Sequence, residues 1–277
     1  MSVPLLERAV VGVSRAVGAL CAPRSGLRIL MYHSVGYDGL GSDVDAPLPT
    51  RVFKEQMRWL REESGLAVVP LLEGVMRLND PARDPRAVAV TFDDGYLDTL
   101  TNAAPILDQY RIPFTAFVTG AFLDRPPVPR RYLDRDSLRE LAHHDGAAIG
   151  AHGYTHRPLT RMPDQALADE LHSSSDALAD VTGRRPTSMS YPHGAVNGRV
   201  VAAVRDTDFQ LAATSFVGVN GPRVSLLKRR RTEVRSGDTM RSFQGKVNGD
   251  YDWYRFKQRV YWPVPRAHWP VAEGARR

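Results

Sequence analysis

Seven short runs of strand-forming residues, spaced along the first three quarters of the chain and interleaved with helical patterns, leave this sequence few ways to fold. The runs are Leu27–Tyr32, Ala67–Val69, Ala87–Phe92, Phe114–Val118, Ala147–Ala151, Thr187–Tyr191 and Gln210–Thr214. Phe53, Met57 and Leu60 share one helical face over Arg51–Glu63. Leu167, Leu171, Leu178 and Val181 share another over Pro163–Thr182, which Gly183 terminates. Ser137-Leu-Arg-Glu140 predicts a capping box for a helix that ends by Gly146. Strands alternating with helices make a parallel α/β architecture, and periodicity alone does not separate a barrel from an open doubly wound sheet. Both architectures gather functional groups at the carboxyl ends of their strands. His33, Asp93–Asp94, His152 and the turn at 191–194 each follow directly after a predicted strand.

The chain of 277 residues is long enough for one such domain, and 43% hydrophobic with 25% charged residues is an ordinary globular balance. Cys21 is the one cysteine, so no internal disulfide forms and nothing argues for an oxidising compartment. A net charge of +6 could signal nucleic acid, but the basic residues are dispersed apart from Lys228–Arg231, with no aromatic-basic signature beside that run. No nucleic-acid partner is expected.

Residues 1–24 read as an amphipathic helix, with Leu5, Ala9, Val13, Val17 and Leu20 on one side. Glu7, Arg8 and Arg15 break the apolar core that a secretion signal or a membrane span requires. Residues 25–235 form the strand-helix domain. Over 236–277 that rhythm fades into a basic aromatic extension carrying Tyr251, Trp253, Tyr254, Phe256, Tyr261, Trp262 and Trp269. A cytoplasmic protein follows, and its amphipathic start and aromatic end permit peripheral contact with a membrane.

Two clusters carry chemistry. In Val88-Ala-Val-Thr-Phe-Asp-Asp-Gly-Tyr96 an apolar strand delivers adjacent carboxylates, which repel unless a cation or a proton lies between them. A helix cap would need only one aspartate. In Ala148-Ile-Gly-Ala-His152-Gly-Tyr-Thr-His156 two imidazoles four residues apart follow the end of another strand. One carboxylate, two imidazoles and a water make an open zinc site, and without thiolates a nitrogen–oxygen site for zinc or another divalent transition ion follows.

These motifs, in this order, resemble the polysaccharide deacetylase family, carbohydrate esterase family 4, in the branch whose first strand ends in Met-Tyr-His. The resemblance runs from Leu30-Met-Tyr-His33 to about Val234 and includes Ala104-Pro-Ile-Leu107, Leu138-Arg-Glu-Leu141, Tyr191-Pro-His-Gly194 and Phe209–Thr214. It implies an irregular seven-stranded (β/α) barrel that removes acetate from an N-acetylated saccharide with the help of a divalent ion. By the same resemblance Asp94, His152 and His156 bind the metal and Asp93 is the general base. The His193 backbone N–H serves the oxyanion, and Tyr191 and Tyr96 join it as substrate-binding candidates.

Two departures from the family pattern stand out. Ser190 occupies the position where many relatives place an arginine that pairs with the catalytic aspartate, which leaves the tuning of Asp93 unexplained. The late Leu-x-His motif is missing, and His33 is the substitute acid for the departing amine. One arginine of the 228–231 run, Arg231, recurs in the family pattern; its neighbours read as solvated. The competing readings are a barrel amidohydrolase acting on a non-sugar amide and a non-catalytic carbohydrate-binding relative.

Overall fold

The computed structural model describes residues 25–36, 46–123, 125, 126, 131–255 and 258. The expected helix over 1–24, the Pro-rich residues 127–130, and Phe256, Tyr261, Trp262 and Trp269 lie outside the described residues. Among the described residues ten strands run in chain order: β1 (Leu27–Tyr32), β2 (Val35–Gly36), β3 (Leu48–Pro49), β4 (Ala67–Val68), β5 (Ala87–Phe92), β6 (Phe114–Val118), β7 (Ala147–Ala151), β8 (Ser188–Ser190), β9 (Leu211–Ala213) and β10 (Thr232–Glu233). The helices are α1 (Thr50–Glu62), α2 (Leu71–Arg77), α3 (Ala104–Gln109), α4 (Arg135–His143), α5 (Asp164–Thr182), α6 (Gly198–Arg205) and α7 (Met240–Asn248).

The main sheet is parallel throughout, in the order β10-β1-β5-β6-β7-β8-β9. Its two edges approach through one segment. Arg229 bridges to Ala213 of β9, and three residues later Thr232 pairs with Leu30 of β1. The curled sheet is therefore the irregular seven-stranded barrel expected from the sequence, with its narrowest join at residues 229–233. One strand of the expected seven is replaced. Ala67–Val68 lies off the ring and splints only the start of β5, whereas β10 supplies the seventh position. β10 escapes a pattern search because its two residues are preceded by three arginines, with no apolar run to mark them.

Alternation along the strands sorts the core into two layers. Leu30, Tyr32, Val88, Val90, Phe92 and Phe114 pack outward under the helices, with Leu167, Leu171 and Leu178 of α5 and Met57 and Leu60 of α1. Leu27, Ile29, Ala87, Ala89, Phe117 and Leu211 form the smaller inner layer. Space inside is short: a Cβ added to Gly150 would sit 2.4 Å from the Phe117 ring. Leu71, Val75 and Leu78, on and just after α2, join Leu27 and Ala87, the first residues of their strands, so α2 stops the barrel floor. The open end is the opposite one.

Two local expectations change. The box that starts α4 is built by Asp134, whose carboxylate accepts from Ser137 N–H at 2.8 Å while Ser137 Oγ accepts from Asp134 N–H at 2.9 Å. Ser137 is thus the third residue of the helix rather than its cap. The chain beyond Arg235 also does not lose its order at once, because α7 buries Phe243 and Val247 and sets Phe243 edge-on to Trp59 at 5.9 Å. Among the described residues no helix is long and apolar enough to cross a membrane.

A buried ion pair ties this last segment to β1. Arg28 donates to Asp252 at 2.6 and 3.0 Å, to the Val247 carbonyl at 3.1 Å and to Thr232 Oγ1 at 3.2 Å. Both partners are at most 4% exposed. Removing one member of such a pair strands the other charge, which costs roughly 3–5 kcal/mol, whereas replacing both by apolar groups is often close to neutral. Asp252→Ala is therefore expected to lower unfolding stability by about 3 kcal/mol or more, and Arg28→Met with Asp252→Leu by much less. Urea denaturation of the three chains checks this.

Candidate functional site

The inner face of each strand ends in a polar residue at the open end of the barrel. Leu27, Ile29 and Met31 are followed at the same period by His33, and Ala87, Ala89 and Thr91 by Asp93. Gly150 precedes His152, Ser188 precedes Ser190, and Arg229 precedes Arg231. A two-residue period thus aims side chains from separate strands at one mouth.

Asp93 is 2% exposed and Arg231 1%. The guanidinium grips both carboxylate oxygens, Nη1 to Oδ1 and Nη2 to Oδ2, each at 2.6 Å. Arg231 is itself held by the Thr214 carbonyl at 3.0 Å and Thr91 Oγ1 at 3.4 Å. Ser190 Oγ donates to Asp93 Oδ1 at 3.2 Å, and the Asp93 N–H donates to the Tyr32 carbonyl at 2.9 Å. Burial alone would raise the Asp93 pKa; the charge of Arg231, then that of His152 and the Arg231 hydrogen bonds, outweigh it and hold the carboxyl below its ordinary value. The carboxylate is ionised and aligned. Arg231 thus explains the tuning that Ser190 left open.

Asp94 turns the other way because its backbone is left-handed, with φ of 75°. Gly95 follows at φ 81°, where a Cβ would lie 2.9 Å from Val118 Cγ1, so the turn needs glycine. Asp94 Oδ1 then lies 3.4 Å from His152 Nε2 and 3.1 Å from His156 Nε2. Burial pushes the Asp94 pKa up, but hydrogen bonds from His152 and His156, with their charges, bring it well below the usual carboxylate range. His152 is buried, which favours its neutral form; Asp93 and Asp94 overcome that and raise its pKa. Its Nδ1 sits 3.0 Å from the Ser190 carbonyl, which accepts the Nδ1 proton, so Nε2 is the nitrogen that an ion would take in place of the proton shared with Asp94.

The three donor atoms of Asp94, His152 and His156 lie within 4.8 Å of one another. Ligands about 2.0–2.1 Å from a tetrahedral ion stand roughly 3.3 Å apart, close to the two Asp94–histidine separations. A carboxylate oxygen and two imidazole nitrogens suit zinc or a similar ion, so the residues fit the group that the sequence implies.

Other candidates divide. His33 is half-buried and near enough for its charge to help lower the Asp93 pKa. Its loop is pinned by Ser34 Oγ and Val35 N–H to Asp98 and by Asn102 to the Val35 carbonyl. Tyr96 is half-buried and stacks on Tyr132 at 4.8 Å; Tyr132 meets Phe122 at 4.6 Å, and Phe122 meets His156 at 5.5 Å. These rings form a wall leading away from His156. Tyr191 is placed elsewhere: fully buried, it donates its hydroxyl to the Leu227 carbonyl at 2.8 Å, in the barrel wall rather than the cleft. The His193 imidazole buttresses the site, its Nε2 donating to the His156 carbonyl at 3.0 Å. Burial, and then the charge of His156, hold the His193 pKa down to about 4.

Arg229 departs from its expected solvation. It is 1% exposed because it lies two residues before Arg231 on the same inward face. His143, His144 and His172 bond to nearby backbone carbonyls, as helix-surface residues do.

The family model for polysaccharide deacetylase matches residues 80–212, a span that holds the aspartate pair, both histidines and the 191–194 turn. Over that span, just under half of its length, the chain is similar to the polysaccharide deacetylase family. It is 27% identical to YxkH of Bacillus subtilis (strain 168) over 211 residues, covering 76% of this chain and 72% of YxkH. It is 29% identical to the peptidoglycan-N-acetylglucosamine deacetylase PgdA of Listeria monocytogenes over 125 residues, 44% of this chain but only 25% of PgdA. Among solved structures, IcaB from Ammonifex degensii superposes with a TM-score of 0.71 at 25% identity, covering 82% of this chain and 97% of IcaB. The deacetylase PplD of Streptococcus pyogenes shares the fold at a TM-score of 0.68 and 20% identity, over 78% of this chain and 95% of PplD.

Arg231→Gln should reverse the tuning of Asp93. In the wild type the lowered pKa adds stability above the unfolded carboxylate value, and that stability is lost as pH falls through the folded value. Without the guanidinium, burial leaves the Asp93 pKa raised, and the carboxyl then loses stability as pH rises. The melting-temperature gap between wild type and variant is therefore expected to widen from pH 4 to pH 7. A constant gap across that range contradicts the assignment.

Proposed function

We propose that the chain is a carbohydrate N-deacetylase, hydrolysing the acetamide of an N-acetylated sugar in a glycan, a lipid-linked saccharide or a glycoconjugate to acetate and a free amine. The observation that carries the reading is one juxtaposition: an ionised carboxylate, Asp93, beside three donors suited to a divalent ion. Asp94, His152 and His156 would hold that ion, with zinc the first choice. When bound, it would supply a Lewis acid that lowers the pKa of water toward neutrality and draws charge from an acyl oxygen.

In this reading Asp93 takes a proton from the attacking water. A carboxylate held below its ordinary pKa is a poor base toward bulk water, so the pairing with Arg231 suits a water already acidified. Arg231 and Ser190 also fix its direction, which positions the lone pair that receives the proton. The His193 backbone N–H is the proposed donor to the oxyanion. His33 is the proposed acid, because an amine leaves readily only once protonated. The products balance: water adds its oxygen to the acetyl carbon, the carbon–nitrogen bond breaks, and the nitrogen gains a proton.

The aromatic wall of Phe122, Tyr132 and Tyr96 supports a sugar over a small linear amide, since ring faces pack against the apolar faces of pyranoses. The name of PgdA, a peptidoglycan-N-acetylglucosamine deacetylase, points to the same substrate class. A purely carbohydrate-binding role would not need an ionised base beside a donor cluster.

The test is acetate release from chitin oligomers by the zinc-loaded protein, with small amides such as N-acetylated amines alongside. Release from the oligomers is expected, with Asp93→Asn losing roughly 10²–10⁴-fold in kcat, the usual contribution of a general base. Equal turnover by Asp93→Asn, or release from the small amides alone, contradicts the proposal.

A further inference from the structure

The two histidines of the donor cluster are joined by an arc of three residues, Gly153, Tyr154 and Thr155, and a carboxylate from another element grips that arc. Glu170, on α5, is 6% exposed. Its Oε1 accepts from Tyr154 N–H at 2.9 Å and Thr155 N–H at 2.7 Å. Thr155 Oγ1 reaches Oε1 at 3.1 Å and Oε2 at 3.0 Å. Among the described residues no Lys or Arg pairs with Glu170, and its partners there are these neutral donors. A buried carboxylate used in this way is expensive unless its bonds do something the fold requires.

What they hold is strained. Gly153 and His156 both have left-handed backbone, at φ 69° and 62°, and a Cβ on Gly153 would lie 3.1 Å from Glu170 Oε1. The left-handed conformation is unfavourable for a histidine, and its neighbours must impose it. Glu170 fixes the arc just before His156, while His193 Nε2 fixes the carbonyl just after it. His156 is thereby held on both sides with its Nε2 toward Asp94.

We propose that Glu170 is a positioning residue for the metal centre: it clamps the arc between the two imidazoles, so that the ion meets a preformed pair of ligands. The inference rests on Asp94, His152 and His156 binding an ion. Glu170 touches neither ion nor substrate and acts through the backbone of Tyr154 and Thr155. Outer partners that orient metal ligands typically contribute 10–100-fold in metal affinity, and that is the scale expected here.

The experiment uses the full chain and zinc alone, titrated against a chromophoric chelator, for wild type, Glu170→Ala, Glu170→Gln and Thr155→Val. Glu170→Ala is expected to weaken zinc binding roughly 10–100-fold. Glu170→Gln, which keeps an oxygen for the two N–H donors, should recover most of that loss. Thr155→Val, which removes only the hydroxyl contacts, should fall between wild type and Glu170→Ala. The cobalt-substituted chains add a readout of geometry, because the visible absorption of cobalt(II) changes when a ligand shifts. A change is expected in Glu170→Ala and not in Glu170→Gln.

A staple with a merely structural role lowers the melting temperature of the metal-free chain without altering zinc affinity or the cobalt spectrum of the folded fraction. That outcome overturns the inference while leaving the metal reading intact. If Glu170→Ala does not fold, wild-type zinc affinity in Thr155→Val overturns it instead. A wild-type chain that binds no zinc removes the metal reading, and the inference with it.

Discussion

Asp93 and Arg231 are both buried and joined by two bonds of 2.6 Å, and much of the barrel's open end is arranged around keeping them so. An isolated carboxylate in that position would take up a proton rather than accept the cost of its charge. The guanidinium therefore decides whether Asp93 is an acid or a base. Arg231 arrives on the segment that also joins the sheet's two edges, pairing with β9 at Arg229 and with β1 at Thr232. Closing the barrel and ionising the carboxylate are consequently the same structural event. Anything that loosens the 229–233 segment should disturb the chemistry before it disturbs the outer core, which is anchored elsewhere by α1, α5 and the helices beside them.

The second constraint is backbone strain. Four described residues other than glycine have positive φ, and three of them, Asp94, His156 and His193, are at the site. Each costs on the order of 1–2 kcal/mol against ordinary backbone. Together they make a local deficit that the surrounding contacts must offset. Gly95, Gly153 and Gly194 take positive φ beside them, where it is cheap. Glu170 and the His193 imidazole then hold the arc that carries His156. The conformation is imposed from outside the turn, which holds the three donor side chains together.

Most of the barrel was legible because apolar strands of the right length are self-announcing. β1, β5, β6 and β7 match the expected runs residue for residue, and the open end carries the polar residues that were read at the strand ends. Legibility failed where pairing, not pattern, makes the element. β10 is a two-residue strand after three arginines, and only its hydrogen bonds to β1 reveal it. β4 looked like a ring strand but pairs solely with the start of β5. At the site, Asp93, Asp94, His152 and His156 stand next to one another because motifs within single loops carry them. Glu170 could not be found that way, since it reads as one more polar residue on an amphipathic helix. Tyr191 shows the opposite error: adjacency to the 191–194 turn suggested a cleft residue, while strand alternation sends its ring into the wall.

The arginine absent at position 190 shows why a motif is an unreliable unit of comparison. What an ionised, buried aspartate requires is a positive charge at one point in space, against its carboxylate oxygens. Any strand of the ring whose inward residue reaches that point can supply it. Here β8 contributes Ser190, which bridges Asp93 and His152 with a hydroxyl and a carbonyl, and the closing segment contributes the guanidinium. An arginine at 190 would compete with Arg231 for the same oxygens and add a second positive charge beside the donor cluster. It would also take the place of a small side chain fully buried against His152. Serine at 190 and arginine at 231 are thus two halves of one arrangement, and neither would be tolerable if the other changed alone.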